Sequence, residues 1–224
     1  MKIDPSKFLT PSLVAERIET ALRFRRPFSL VRIGDGEALA IAQESVLPLE
    51  EIQCQKFLRY AGVLIPDLKA RNELLAMIVK ADIVGLPDRW DLPYFSPLVS
   101  EILTHYGIQL GSICDCCINY QLHQAGLLFP LFKNRRLLLI GRRSRELASV
   151  LKEYYGLMAV GKILIDNYRQ IPSVITRCGE YSFDIAFVAA GIPAVTLCVK
   201  IASRFGKVAL DLGHLSDRII EEYL

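Results

Sequence analysis

The chain has 224 residues, of which 52% are hydrophobic and 23% are charged, and its formal net charge is +3. This length suits one large α/β domain better than two small ones, and the apolar content argues against intrinsic disorder. The small net charge gives no support for nucleic-acid binding, so we expect no nucleic-acid partner.

The apolar segments predict no membrane anchor. The first ten residues lack the apolar run of a secretory signal peptide. The longest nearly apolar run, Ala186 to Val199, contains Gly191 and Pro193 and is too short to span a bilayer. We therefore expect a soluble, cytoplasmic protein without a membrane span.

The first half of the chain is predicted to be mostly helical, with two strands. Thr10-Pro11 indicates the start of a first helix, whose apolar face recurs at helical spacing and which ends before Pro27. Phe28 to Ile33 predicts a strand, followed by a glycine turn. The next predicted elements are helices over 37–45, 50–60 and 66–80, a buried strand over 82–86, and helices over 97–106 and 119–128.

The second half predicts strands that alternate with helices. The strands are continuous apolar runs over 136–141, 184–189 and 207–212, with a weaker one over 157–165, and the helices cover 144–155 and 192–205. This alternation is typical of a parallel sheet covered by helices on both faces. We predict an α/β fold, with one Rossmann-like domain and a mainly parallel sheet spanning residues 1–224.

Several predicted strands end in glycine. Ile33-Gly34, Ile140-Gly141, Ala190-Gly191 and Leu212-Gly213 all mark such ends. Because ligands bind beyond the carboxyl ends of parallel strands, the polar residues after these strands are expected to meet in one crevice.

The first of these ends carries two carboxylates, Asp35 and Glu37, separated only by Gly36. In one interpretation Asp35 is the N-cap of the following helix and Glu37 favours its positive end. In the other, both carboxylates bind a hard cation such as Mg²⁺ or Mn²⁺ on a diphosphate, and Gly34 and Gly36 let the backbone approach the ligand. The residues alone leave both interpretations open.

Two motifs resemble the GT-D type glycosyltransferases. R-I-G-D-G-E, Arg32 to Glu37, is similar to the nucleotide-binding motif of that family, with Asp35 and Glu37 matching its Asp-x-Glu pair. K-V-A-L-D-L-G-H, Lys207 to His214, is similar to its closing Asp-x-Gly-His segment. The segments G-L-P-D-R-W-D, L-L-L-I-G-R and F-V-A-A-G-I-P follow the family's order, so that the resemblance extends from about residue 10 to 222.

The resemblance implies a Rossmann-like domain that transfers a sugar from a nucleotide donor, often linked to UDP, to an acceptor hydroxyl on a glycan or glycoprotein. It also implies Mn²⁺ or Mg²⁺ as cofactor. On this basis we predict Asp35 and Glu37 as metal ligands and the following further site residues. They are His214, which with Asp35 and Glu37 forms the predicted catalytic set, and the donor-binding residues Arg32, Gly34, Gly36, Arg142 and Asp211.

Each of these roles has a structural alternative. Arg142 lies in a basic run that opens a helix with Ser144 as a plausible N-cap; it can bind phosphate or simply be solvated. His214 can act as a base, orient the acceptor or hydrogen-bond Asp211. Arg32 can pair with Glu37 or reach a phosphate.

Two further features carry weaker hypotheses. Asp88, Arg89 and Asp91 lie in a loop with Trp90, which can stack on a base or sugar or anchor the loop. Cys114, Cys116 and Cys117 have neither the second cysteine pair nor an evident fourth ligand that a structural zinc site requires, so we expect them to hold no structural metal.

Two rival functions remain. A strand followed by I-G-D-G-E faintly resembles the first motif of S-adenosylmethionine-dependent methyltransferases, although a further glycine and the ribose-binding acid are missing. The other rival is a non-catalytic domain that binds a sugar nucleotide or a partner within a glycosylation system.

Overall fold

The computed structural model describes residues 3–87 and 94–224. The loop residues Asp88 to Asp91, including Trp90, lie outside the described residues, so their predicted contacts stay predictions. Two short helices, α3 (Leu49–Gln53) and α4 (Phe57–Tyr60), stand where one helix over 50–60 was predicted. The described helices are α1 (Pro11–Arg23), α2 (Asp35–Ala42), α3 (Leu49–Gln53), α4 (Phe57–Tyr60), α5 (Leu68–Lys80), α6 (Phe95–His105), α7 (Ile118–Gln124), α8 (Ser144–Tyr155), α9 (Ile171–Cys178), α10 (Pro193–Phe205) and α11 (Leu215–Tyr223).

Seven strands form one sheet, and every neighbouring pair in it is parallel. This confirms the predicted α/β fold with a parallel sheet. The strand order is β3-β2-β1-β7-β6-β4-β5, which places the first and last strands side by side in the interior of the sheet. The strands are β1 (Phe28–Arg32), β2 (Ile83–Leu86), β3 (Ile113–Asp115), β4 (Leu137–Gly141), β5 (Ala159–Ile163), β6 (Ile185–Ala189) and β7 (Val208–Asp211).

Helices cover both faces of the sheet, as predicted. One apolar layer joins α2, α5, α6, α9 and α10 to strand residues such as Val31 and Val188. The other joins α1, α7, α8 and α11 to the alternate strand residues, among them Leu30 and Phe187. Because successive side chains of a strand point to opposite faces, strands buried on both sides read as unbroken apolar runs.

Local signals set the helix ends. The Thr10 side chain accepts a hydrogen bond from the Leu13 N–H, and Pro11 occupies the first turn of α1, as predicted. At α8, Gly156 adopts the left-handed conformation (φ 65°) that closes a helix. Within the described residues, no helix combines the length and the apolar composition required to cross a membrane.

Candidate functional site

A crevice of about 230 Å³ opens at the carboxyl edge of the sheet, between the segments that follow β1, β4, β6 and β7. Asp211 is the one predicted site residue that does not line it; this carboxylate is buried just beneath. The predicted residues that do line it are Arg32, Gly34, Asp35, Gly36, Glu37, Arg142 and His214. The fold therefore brings the two quoted motifs and the basic segment after β4 to one place.

The carboxylate pair sits in the first turn of α2. Gly34, not Asp35, is the N-cap, which corrects the capping interpretation of Asp35. Glu37 Oε2 accepts the Gly34 N–H at 2.9 Å, and Asp35 Oδ1 accepts the Gly36 N–H at 2.7 Å. Each of these two bonds uses one oxygen of its carboxylate. Asp35 is exposed and Glu37 half-buried.

The electrostatics around Glu37 suit a cation. Burial, together with repulsion from Asp211, raises the pKa of Glu37 to about 7, although Arg32 and backbone hydrogen bonds oppose the shift. A nearby divalent ion would favour the ionised carboxylate and reverse this penalty. Mg²⁺ in proteins is commonly held by one or two carboxylates, with water and substrate phosphate completing the coordination.

The Arg32 side chain connects its own motif, R-I-G-D-G-E, to the second motif, K-V-A-L-D-L-G-H. Its Nη2 contacts Asp211 Oδ1 at 3.1 Å, and its Nη1 donates to the Cys116 carbonyl at 3.2 Å. Burial disfavours the charged guanidinium, but attraction to Asp211 outweighs it and raises the pKa of Arg32. The ion-pair partner of Arg32 is thus Asp211, whereas the sequence analysis considered Glu37 or a phosphate. Asp211 also accepts the Gly213 N–H at 2.9 Å, which favours a structural role for the pair.

The N-terminus of α8 faces the same crevice. Its N-cap is Arg143, one position earlier than the predicted cap Ser144, which is instead the first residue of the helix. The Ser144 side chain lines the crevice and is only 3% exposed, yet its Oγ has no hydrogen-bond partner within the described residues. Together with the free N–H groups of the first helical turn, this hydroxyl makes an anion-binding position. The sequence analysis considered phosphate binding at this helix start but did not single out the Ser144 hydroxyl, because an unpartnered atom shows only in three dimensions.

One wall of the crevice is aromatic and was also missed. The Arg142 guanidinium lies 4.5 Å from the centre of the Tyr60 ring, and its Nε is 3.5 Å from Asp166 Oδ1. Tyr60 is 64% exposed. The segment is fixed by the Ile192 N–H, which donates to the Ala61 carbonyl at 3.0 Å. Phe57 and Tyr60 both line the crevice, whereas the sequence analysis placed them only within a predicted helix over 50–60.

His214 lies at the N-cap of α11, exposed at the rim of the crevice. The described hydrogen bonds of Asp211 go to Arg32 and Gly213, and none of them joins it to His214. Of the predicted alternatives for His214, the hydrogen bond to Asp211 is thus not present among the described residues.

The cysteine cluster lies at the end of β3. Among the described residues, the ligand atoms of Asp115, Cys116 and Cys117 lie within 4.8 Å of one another, whereas Cys114 is buried in the strand. The Asp115 carboxylate already accepts hydrogen bonds from the Cys117 N–H at 2.7 Å and from Gln121 Nε2 at 3.0 Å. That the cysteines hold no structural metal stays a prediction.

Comparisons with known proteins support the fold described above. Residues 9–219 match the family described as a GT-D fold-like domain. Two solved structures of the domain of unknown function 1792, one of them described as having a distinct glycosyltransferase fold, superpose with a TM-score of 0.67. They share 14% and 15% sequence identity with this chain, over 94% of it and 79% of theirs. No curated protein matches the sequence. The family match covers nearly the whole chain, so this protein belongs to the GT-D-like family.

Proposed function

We propose that this protein is a divalent-metal-dependent glycosyltransferase that takes a sugar from a nucleoside diphosphate donor, UDP-linked in the first instance. One observation carries the proposal. The carboxylate pair of α2 and the N-terminus of α8, with its unpartnered Ser144 hydroxyl, line the same crevice. A cation position beside an anion position is what a metal-bound diphosphate requires.

In this proposal, Asp35 and Glu37 hold Mn²⁺ or Mg²⁺. A divalent ion there supplies Lewis-acid neutralisation of the charge that develops on the leaving diphosphate. Arg142, Ser144 and the first N–H groups of α8 bind the phosphate oxygens, and Gly34 and Gly36 leave room for the donor. Arg32 and Asp211 act as positioning residues that hold the two motifs in register.

The transfer step needs a base for the acceptor. The oxygen of a glycan or glycoprotein hydroxyl forms a bond to the anomeric carbon, the bond from that carbon to the diphosphate oxygen breaks, and the nucleoside diphosphate leaves with the electron pair. His214 is proposed to take the hydroxyl proton, since imidazole is a common general base near neutral pH and this one lies at the crevice rim.

Calorimetric titration tests the proposal. UDP and UDP-sugars are titrated with and without Mn²⁺ into the wild type, Asp35→Ala and Glu37→Ala. The wild type is expected to bind in a metal-dependent way, and each variant to bind at least roughly tenfold more weakly. Equal binding in chelator, or full metal-dependent binding by the variants, contradicts the metal assignment.

Two further measurements separate the rival functions. Release of UDP from a bound UDP-sugar indicates a transferase, whereas tight donor binding without hydrolysis or transfer indicates a binding domain. A thermal shift with S-adenosylmethionine, in place of one with UDP-sugars and Mn²⁺, would instead support a methyltransferase.

A further inference from the structure

Two basic runs that are far apart in the sequence meet at the edge of the sheet opposite the crevice. Arg25 and Arg26 precede β1, Arg135 and Arg136 precede β4, and Lys207 precedes β7. All five line one cleft of about 310 Å³ at the amino edge of the strands. A strand of five residues is about 16 Å long, so this cleft is separate from the crevice that would bind the donor.

The cleft holds an excess of positive charge. Its one carboxylate, Asp184, is engaged by Arg136 through contacts of 2.8 Å (Nη2 to Oδ1) and 3.1 Å (Nε to Oδ2). The other four cations form no ion pair with any residue in the described part of the chain. Like charges held in a concave surface repel one another and focus a positive potential on its interior.

Two residues that line the cleft have a left-handed backbone conformation. Arg25 and Asn134 both adopt left-handed conformations, with φ of 51° and 63°. Such angles are uncommon for residues other than glycine, and asparagine tolerates them far better than arginine. Arg25 follows the C-cap of α1, and the Arg26 N–H donates to the Ala21 carbonyl at 2.9 Å, so the closure of this helix end fixes where Arg25 lines the cleft.

We propose that this cleft binds a small multivalent oxyanion of the phosphate class, such as a diphosphate or the phosphate group of a larger compound. Guanidinium groups match phosphate oxygens through paired N–H donors, and lysine adds a point charge. The ligand neutralises the four unpaired cations and requires no divalent ion. It therefore binds independently of the donor site at the opposite edge of the sheet.

Isothermal titration with inorganic diphosphate in the presence of EDTA tests this site. The cleft variants are Arg25→Gly, which also relieves the left-handed backbone, and Arg135→Ala. The matched controls are Arg23→Ala and Lys133→Ala, which remove the same charge at neighbouring positions that do not line the cleft. Arg142→Ala removes a cation from the crevice. Each variant is first checked by its thermal unfolding transition.

The wild type is expected to bind diphosphate. The cleft variants are expected to lose about tenfold or more in affinity, and the three controls to stay within about twofold. Equal losses in cleft variants and neighbouring controls would indicate a diffuse basic surface, and a loss in Arg142→Ala would place the anion in the crevice; either result overturns the proposal. So does the absence of binding by the wild type.

A second arm distinguishes the source of the phosphate. Phe24 is 58% exposed, and the guanidinium groups of Arg23 and Arg26 lie 5.5 and 5.6 Å from the centre of its ring, so an anionic lipid headgroup is one source to test. Sedimentation with vesicles of equimolar phosphatidylglycerol and phosphatidylcholine is compared with pure phosphatidylcholine. A lipid headgroup occupies the cleft if diphosphate prevents the protein from binding the vesicles and Arg135→Ala abolishes that binding. Vesicle binding that Arg23→Ala and Lys133→Ala weaken equally, without diphosphate binding, overturns the site.

Discussion

At the scale of single residues, the ion pair between Arg32 and Asp211 explains why the two motifs occur together. The two side chains lie on neighbouring strands and bring R-x-G-D-G-E against D-x-G-H. Gly213 has a positive φ of 47°, and a Cβ there would collide with the Arg32 guanidinium. The glycine of the second motif is thus required by the arginine of the first.

This contact predicts the effect of Gly213→Ala. The substitution is expected to lower the free energy of unfolding by more than ~2 kcal/mol, because the left-handed backbone costs about 1 kcal/mol and the displaced guanidinium loses its partner. Urea denaturation measures the change. Gly126→Ala is the matched control, since φ is 68° there and nothing lies within 4 Å of a new Cβ. Equal losses in the two variants would contradict the argument.

The pKa of Glu37 predicts how stability depends on pH. Its value in the folded protein, about 7, exceeds the ordinary 4.5, so the native state holds a proton that the unfolded state has already released. The contribution of this group is most favourable below pH 4.5 and is lost as the pH rises to about 7. Urea unfolding in chelator between these pH values should therefore show a falling stability that Glu37→Gln flattens. An unchanged slope in the variant would rule out Glu37 as its source.

At the scale of elements, strong apolar patterns predicted the fold well. The helix Ser144–Tyr155 has the predicted limits, and β4 and β6 begin one residue after their predicted starts. One strand and two α-helices were not predicted. The strand β3 has only three residues and owes its conformation to pairing with β2. The helix α9 begins with Ile171-Pro172, and α11 lies beyond the last predicted strand, although its Leu215, Ile219 and Ile220 have helical spacing.

At the N-terminus of α8, one substitution is expected to leave stability unchanged or raised while it weakens UDP binding. Ser144→Ala removes a buried hydroxyl that lacks a partner, so the thermal midpoint should stay constant or rise. The same change should weaken metal-dependent UDP binding several-fold, since a donor to phosphate is lost. Ser149→Ala, on an exposed turn of α8, should change neither quantity. A drop in stability, or unaltered UDP affinity, would show that Ser144 has another role.

At the scale of the whole molecule, the two edges of the sheet carry different chemistry. The carboxyl edge holds Asp35, Glu37 and the start of α8, whereas the amino edge holds a cleft of arginines and Lys207. That the two carboxylates lie together could be predicted from the sequence, because only Gly36 separates Asp35 from Glu37. The meeting of Arg25 with Arg135 could not, because it depends on the strand order, which local patterns do not encode.

That strand order makes β7 the element on which both edges depend. It lies between β1 and β6, carries Asp211 at one end and follows Lys207 at the other. Leu210→Pro is expected to abolish the cooperative unfolding transition, because proline in an interior strand removes a ladder hydrogen bond and clashes with its neighbours.

Val160→Pro is the matched control for this last prediction. Val160 lies in the edge strand β5, at a register irregularity where the partners of Leu137 and Leu138 are Ala159 and Gly161. It is 42% exposed, so proline there should leave a folded protein with a cooperative transition. Far-UV circular dichroism during thermal and urea unfolding distinguishes the two variants. Leu210→Pro should lose diphosphate and UDP binding together, since the loss of β7 separates both sites from the sheet. A Leu210→Pro protein that still melts cooperatively would contradict the interior position of β7.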